Sequence, residues 1–359
     1  MEKTSKLQKN LMNLYVSVIA LTLSILTGGI IVAALGINPV NTYTALFQGA
    51  FGSISALTGT INRMIPIILA GLAIALAKKG SVFNIGVDGQ IVCGAFVSAL
   101  IGANFALPKV IHLPLALIGG TMAGVLWSVL PAFLKMRRNV NVVFSCIMLN
   151  YVAKFLVVYL MYIPTTSDRF MGATAKILPS AMIPNILGGA YKINGGILLA
   201  VLAVIGCAVF ISKTKRGYEM QAVGMNPDAA GSAGINVKFN MFLALLISGG
   251  LAGLGGALET CGSTFRMFET YNPGYMPMGI AVAMLAHNDP YAILITAFLF
   301  AAMKNGASMM QVSVGVSAQF VSIVQGLIII FICSENLIHW LLVKAKDRMR
   351  KGEALHGSC

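Results

Sequence analysis

The sequence predicts an all-α, polytopic transmembrane helical bundle of 8–10 membrane-spanning segments, with both termini on the cytoplasmic side. Three observations carry this. Of 359 residues, 57% are hydrophobic and only 10% are charged, with a mean hydropathy of +0.84; a soluble globular chain carries about 25% charged residues. The apolar residues fall in runs long enough to cross a hydrocarbon layer, which takes roughly 20 residues per helix. The basic residues lie on alternate sides of those runs in unequal numbers.

In chain order, six runs reach spanning length: about 14–36, 89–107, 111–133, 140–163, 193–212 and 317–333. Two more, 64–77 and 240–257, are slightly shorter. Backbone groups in lipid have to be satisfied within the segment, so these read as helices and not open strands. Residues 277–304 stay ambiguous: MPMGIAVAMLA, a polar break at His287-Asn288-Asp289-Pro290, then YAILITAFLFAAM. They form either two tilted helices or a re-entrant hairpin of half-helices, and both return the chain to the same side. The first run follows Lys3, Lys6 and Lys9, as a signal peptide would, but it exceeds the 7–15 residues of such an apolar region and has no clear small-residue cleavage site, so it reads as a retained helix.

With residues 1–13 in the cytoplasm, seventeen of the 25 Lys and Arg residues fall on that side and five on the other, with Arg63, Lys154 and Lys304 inside or at the edge of helices. That asymmetry accounts for the net charge of +14 without nucleic acid. Residues 14–333 then form the membrane domain. Residues 213–239 form a large cytoplasmic loop, and 334–359 a basic cytoplasmic tail beside anionic lipid. None of the six cysteines forms a CxxC pair and four lie in apolar runs, the pattern of small buried hydrophobes.

Much chemistry is excluded. The chain has no GxxxxGK[ST] phosphate loop, no HExxH and no GxSxG, and its four histidines are scattered. No cofactor or metal is expected. Acids within or close to the apolar runs are few, namely Asp88, Glu259 and Asp289. Such groups are costly in lipid and mark function, so the interior suits a polar, uncharged solute or a conformational change driven from elsewhere.

Four constellations remain. FNIGVDGQ (83–90) offers Asn84, Asp88 and Gln90 around two glycines. It is either a gate or pathway segment, or a turn in which Asn84 or Asp88 caps the next helix. In the helix beginning at Asn141, that residue and Ser145 share a face and Asn150 adds a third polar group; interhelical hydrogen bonding and a solute site both fit. In the 213–239 loop, Pro227 breaks the helix and Asp228 to Gly234 can form a short one, capped by Asn226 or Asp228, suited to rigid-body coupling to a partner. In the helix that follows this loop, as part of the same constellation, the small residues of SGGLAGLGGALE (248–259) permit close helix packing. Last, GIAVAML (279–285) with Asn288, Asp289 and Pro290 is either a half-helix end near a pathway or an interfacial turn.

The segments FNIGVDGQ, MLNY (148–151), AVGMNPDAAGSAGIN (222–236), SGGLAGLGG (248–256) and GIAVAML occur in an order that resembles the permease subunits of bacterial ABC importers for nucleosides, within the branched-chain amino acid and simple-sugar permease superfamily. The resemblance runs from about residue 15 to 333. It implies a translocation path for nucleosides, a second related permease, an ATP-binding subunit on the cytoplasmic loops and a solute-binding lipoprotein outside the membrane. It also implies that Asp228, Ala229, Ala230 and Gly234 belong to the ATPase-coupling loop. The candidate solute path is Asn84, Asp88, Gln90, Asn141 and Asn150. Two positions depart from the pattern: Asp88 and Val142 stand where such permeases usually carry glutamate. A simple sugar such as a pentose is the alternative solute. A secondary transporter working alone is disfavoured by the scarcity of ionisable groups in the runs, and a scaffold without transport by the polar breaks.

Overall fold

The computed structural model describes residues 18–19, 21–163, 167–168, 172–186, 192–271, 274–317 and 319–333. The chain forms thirteen described α-helices: α1 Leu21–Ala34, α2 Pro39–Phe51, α3 Ile54–Lys79, α4 Val87–Asn104, α5 Lys109–Arg138, α6 Val142–Met161, α7 Gly196–Lys213, α8 Lys215–Met225, α9 Pro227–Ser232, α10 Val237–Glu259, α11 Tyr275–Leu285, α12 Pro290–Val314 and α13 Gln319–Cys333. Seven are long and apolar enough to cross a membrane, and α1, α11 and α13 are shorter apolar helices. The tails 1–13 and 334–359 lie outside the described residues.

Several helix starts are set by short polar side chains that satisfy the free N–H groups of the first turn. Asn38 caps α2, Ser53 α3, Asn141 α6, Asn236 α10 and Asp289 α12. Two elements differ from the sequence expectation. Residues 39–51 form α2, an extra helix whose apolar pattern Asn41, Thr42, Thr44 and Gln48 interrupt. In 277–304, the first arm is the 11-residue α11, while the second extends past Lys304 into the 25-residue α12. At 1.5 Å per residue, α11 is only about 16 Å long, so the region combines a half-length helix with a full-length one.

The layers sort by burial. The apolar windows of α3, α4 and α10 are 78%, 67% and 61% buried, those of α5 and α6 only 22% each. The first three form the centre; α5 and α6 turn Leu126, Phe144, Phe155 and Tyr159 outward. Glycines let α4, α5 and α10 meet backbone to backbone. A Cβ on Gly253 would lie 2.6 Å from the Gly120 carbonyl oxygen and 2.8 Å from the Gly124 Cα, and one on Gly120 would lie 2.7 Å from the Gly94 carbonyl oxygen. Such approach is the use of small residues in helix packing.

At the end of the bundle away from the basic loops, Ser167–Asp168 pairs antiparallel with Ala173–Thr174, and the Thr174 N–H donates to the Met267 carbonyl at 2.8 Å. The link between α6 and α7 is thereby tied to the segment after α10. There α10 widens into a π-turn, Thr260–Thr264, before Phe265 adopts φ +55°.

Candidate functional site

The 80–90 segment is built around one buried amide. Asn84 is fully buried; its Nδ2 donates to Gln90 Oε1 at 2.9 Å and to Ser248 Oγ at 2.7 Å, and its Oδ1 accepts from the Gly86 N–H at 2.8 Å. Ser248 Oγ donates to the Ala73 carbonyl at 2.6 Å, so a single chain of bonds ties the turn to α3 and α10. Asn150 closes it from α6: its Oδ1 accepts from the Gly89 N–H at 2.9 Å and its Nδ2 donates to the Ile85 carbonyl at 2.8 Å. Buried polar groups need such partners. The MLNY and FNIGVDGQ segments are thus one structural unit.

Asp88 behaves differently. Asn84 and Asp88 are both placed to cap the next helix by sequence, yet Gly86 stands at the N-cap of α4 with no side-chain cap. Asp88 instead caps α11. The N-cap of α11 is Gly274, at φ +57° and without a side chain, and Asp88 Oδ1 accepts from the N–H groups of Tyr275 and Met276, both at 2.9 Å. A carboxylate in the first turn of one helix therefore serves the free N–H groups of another, where both helix dipoles favour an acceptor.

Beside this junction lies a carboxylate that the sequence reading noted but did not assign to the path. Glu259, at the end of α10, accepts from Tyr275 Oη on Oε1 at 2.8 Å and from Tyr271 Oη on Oε2 at 2.6 Å. Lys304 Nζ sits 4.0 Å from the centroid of the Tyr275 ring, and Asp88, Glu259 and Arg63 lie within electrostatic reach of Lys304. Two acids and two bases from α3, α4, α10 and α12 therefore converge on the N-terminus of α11. Asp88, Glu259 and Lys304 are half-buried and Arg63 is exposed. The available signal was the cost of an ionisable residue in an apolar segment, which marks each of the four singly; their convergence follows only from the folded topology.

Asn141 is elsewhere. It is exposed, accepts from the Val143 N–H at 2.9 Å and, with Ser81, Phe83, Lys135 and Asn139, lines a cavity of about 320 Å³ at the ends of α5 and α6. The large polar loop forms two helices where one was expected. Asn226 caps α9 through the N–H groups of Asp228 (3.0 Å) and Ala229 (3.1 Å). At the other end Gly234, at φ +80°, closes α9: its N–H donates to the Gly231 carbonyl and that of Ile235 to the Ala230 carbonyl, both at 3.0 Å. This is the glycine-terminated helix end that a left-handed residue allows. Ala230 is buried against the bundle, while Asp228, Ala229 and Gly234 face outward. In α8, Glu219 accepts from Arg216 at 2.9 Å and from Asn240 of α10 at 3.4 Å. Partial desolvation pushes the Glu219 carboxyl up, but the bonds from Asn240 and Arg216 outweigh it and hold the group below its ordinary range. Among the described residues, no three His, Cys, Asp or Glu side chains are grouped to hold a metal ion.

Residues 56–333 match the family described as branched-chain amino acid transport system / permease component. The chain is 36% identical over 345 residues to the guanosine ABC transporter permease protein of Bacillus subtilis, covering 95% of this chain and 99% of that one. It is 33% identical to the nucleoside ABC transporter permease protein of Lactococcus lactis subsp. cremoris (92% and 93% covered) and 33% identical to the glucose ABC transporter permease protein of Haloferax volcanii (89% and 87% covered). The chain is thus a multi-pass plasma-membrane ABC transporter permease, and it belongs to the branched-chain amino acid transport system / permease component family.

Proposed function

We propose that this permease carries nucleosides into the cell as one half of an ABC importer's membrane channel. A second, related permease forms the other half. A separate ATP-binding subunit supplies the energy, and an extracytoplasmic solute-binding lipoprotein delivers the solute. The observation that carries the transport reading is the junction at Asp88: a half-length helix beginning within the bundle, with its N-terminus held by a side chain from another helix and balanced charges around it. Broken helices of this kind are tolerated only against protein or a cavity, and they mark solute sites. The nucleoside assignment leans on relatives named for guanosine and for nucleosides.

In this reading the ATP-binding subunit docks on the outward face formed by Asp228, Ala229 and Gly234, while the buried Ala230 seats that face on the bundle. The termini and the basic loops face the cytoplasm, in keeping with the excess of Lys and Arg there. Asp88 touches the solute path directly. Asn84, Gln90 and Asn150 hold the segment that shapes it, and Asn141 lines the cavity at its cytoplasmic end.

A simple sugar is the second reading, favoured by the relative named for glucose. The two separate in one experiment. Cells expressing the chain with its native partner subunits are offered labelled guanosine and labelled glucose, each with the other in excess. Guanosine uptake that glucose does not compete is the expected result; glucose uptake untouched by nucleosides would replace the nucleoside reading with the sugar one. ATP hydrolysis by the purified chain alone would contradict the separate-subunit reading.

A further inference from the structure

We infer that Glu259 is a solute-binding carboxylate that recognises a vicinal diol, exchanging the hydroxyls of Tyr271 and Tyr275 for those of a sugar ring; the inference rests on the transport reading above and deepens it.

Glu259 presents both carboxylate oxygens to O–H donors at once, one hydroxyl on each: Tyr275 on Oε1 at 2.8 Å and Tyr271 on Oε2 at 2.6 Å. Two O–H donors on the two oxygens of one carboxylate is the demand that a cis-diol meets with a single molecule. A carboxylate in a largely apolar bundle has to keep its partners, because an unsatisfied one there costs a full desolvation penalty. Replacing hydroxyl by hydroxyl keeps it satisfied throughout. No proton changes hands and no charge is created, so the resting and loaded states differ little in electrostatic energy.

The surroundings suit such an exchange. Glu259 and Tyr271 are half-buried, whereas Tyr275 is buried at 4% exposure, so a solute reaches the carboxylate from the Tyr271 side first. Glu259 ends the regular part of α10, and the next residues form the π-turn Thr260–Thr264; turns of this kind recur at functional sites. Tyr275 is the first residue of α11, whose N-terminus is secured independently by Asp88, so the Tyr275 hydroxyl can leave Glu259 without that helix start losing its cap. The neighbouring charges are Asp88, Glu259, Lys304 and Arg63, two of each sign. A balanced set favours a neutral solute over an anion, which fits a nucleoside or a sugar and excludes their phosphates. The sequence marks Glu259 as a costly acid at the end of a packing motif, and its two tyrosine partners come from residues beyond that motif.

The test compares uptake of guanosine with 2′,3′-dideoxyguanosine in cells carrying the full transporter. Wild type favours guanosine by about tenfold or more, the size expected for hydrogen bonds to a charged group. Glu259→Gln keeps the shape but turns one acceptor into a donor; it collapses the preference to about twofold or less, largely through the KM for guanosine. Tyr271→Phe removes one competing hydroxyl and leaves the other; it lowers the KM for guanosine and leaves that for the dideoxynucleoside unchanged. A merely structural knot would move both solutes together. Equal losses for the two solutes in both variants, with the transporter present at normal abundance, overturn the inference while leaving nucleoside transport intact. Wild-type uptake of no diol-bearing solute, ribose included, overturns this inference and the transport reading together.

Discussion

The α4–α5–α10 core and the junction around the N-terminus of α11 share a helix pair yet are held together by opposite means. In the core, contact is backbone on backbone: Gly94, Gly120, Gly124, Gly249 and Gly253 leave no room for even a methyl group. In the junction, contact is made by side-chain acceptors reaching across gaps: Asp88 to the N–H groups of Tyr275 and Met276, and Glu259 to two tyrosine hydroxyls. The first kind of contact is all-or-none, because a packed core is bistable and not continuously deformable. The second can be exchanged bond for bond. A transporter needs both, a body that moves as a unit and a seam that opens. The difference suggests that α4, α5 and α10 form the body and α11 the seam.

The largest expected effect breaks the body. Gly253→Val would set a branched side chain against the Gly120 carbonyl oxygen and the Gly124 backbone, atoms that cannot rotate away. Overpacking costs about 1–3 kcal/mol even where side chains yield, so here a loss of about 3 kcal/mol or more is expected. Detergent-solubilised protein should melt early or fail to accumulate. Gly206→Ala in α7 is the control: nothing lies within 4 Å of its Cβ position, and it should be neutral or gain about 0.5–1 kcal/mol from helix propensity. Equal behaviour of the two variants would deny the packed body.

The seam is probed next. Asp88→Ala removes the cap of α11 at a cost of about 0.5–2 kcal/mol, which the folded protein should survive. Uptake should nevertheless fall about tenfold or more, since a misplaced half-helix disturbs the path directly. Asp88→Asn keeps one acceptor oxygen for Tyr275 and Met276 and should retain most of the uptake lost in Asp88→Ala. Uptake in Asp88→Ala that tracks its abundance would reduce Asp88 to a structural cap.

Body and seam were not equally legible in the sequence. The core announces itself locally, because SGGLAGLGG repeats small residues at helical spacing and needs only its own helix to be read. The loop was legible for the same reason: Asn226, Pro227 and Gly234 are local stop and start signals, and all three sit at helix ends. The seam depends on pairs distant in sequence. Asp88 and Tyr275 are 187 residues apart, and nothing local tells that Asp88 caps a helix other than its own. The same holds for Asn84 and Ser248, 164 apart. α2 stayed hidden because its polar residues lower its hydropathy below that of a span, and α12 because Lys304 and Asn305 look like an end when they are in fact interior. Propensity and periodicity read what a segment does alone; they are silent on which segment it meets.

A smaller effect asks whether the 213–239 loop moves with the body. α8 is held closely to α3, which packs on the body: a Cβ on Gly224 would strike the Lys79 carbonyl oxygen at the end of α3. α9 turns one residue, Ala230, into the bundle and leaves Asp228, Ala229 and Ser232 exposed. Gly234→Asp should uncouple uptake from ATP hydrolysis while the permease stays inserted. Aspartate tolerates left-handed φ better than most residues, so the helix end survives while a charged side chain appears on the outward face. The expected loss is about tenfold in uptake, equivalent to ~1.4 kcal/mol of coupling, measured with permease abundance and ATPase co-purification in parallel. Normal uptake with normal ATPase association would place the coupling surface elsewhere.

The smallest effect concerns the contact between α8 and α10 through Glu219. Its carboxyl is held below its ordinary value of 4.5 by Asn240 and Arg216, against a desolvation that works the other way. A group with a depressed folded-state pKa stabilises above its unfolded pKa and loses that contribution as pH falls through the folded value. The contact should therefore be unchanged from pH 8 to 5 and weaken only below the ordinary carboxylate range. Limited proteolysis of inside-out vesicles should find the 226–236 loop equally resistant across the upper range and more readily cut in the acid range. Glu219→Gln keeps an acceptor for Asn240 but forfeits the charge that draws Arg216, so it should show no such acid transition. An onset of cleavage near pH 6.5 would point to a histidine, and then α8 would not be held to the body by Glu219. Because Arg216 is more than half exposed, with a relative side-chain accessibility of 53%, salt should weaken the pair at any pH. The backbone contacts of Gly224 should stay insensitive to it, which separates the two kinds of contact within a single helix.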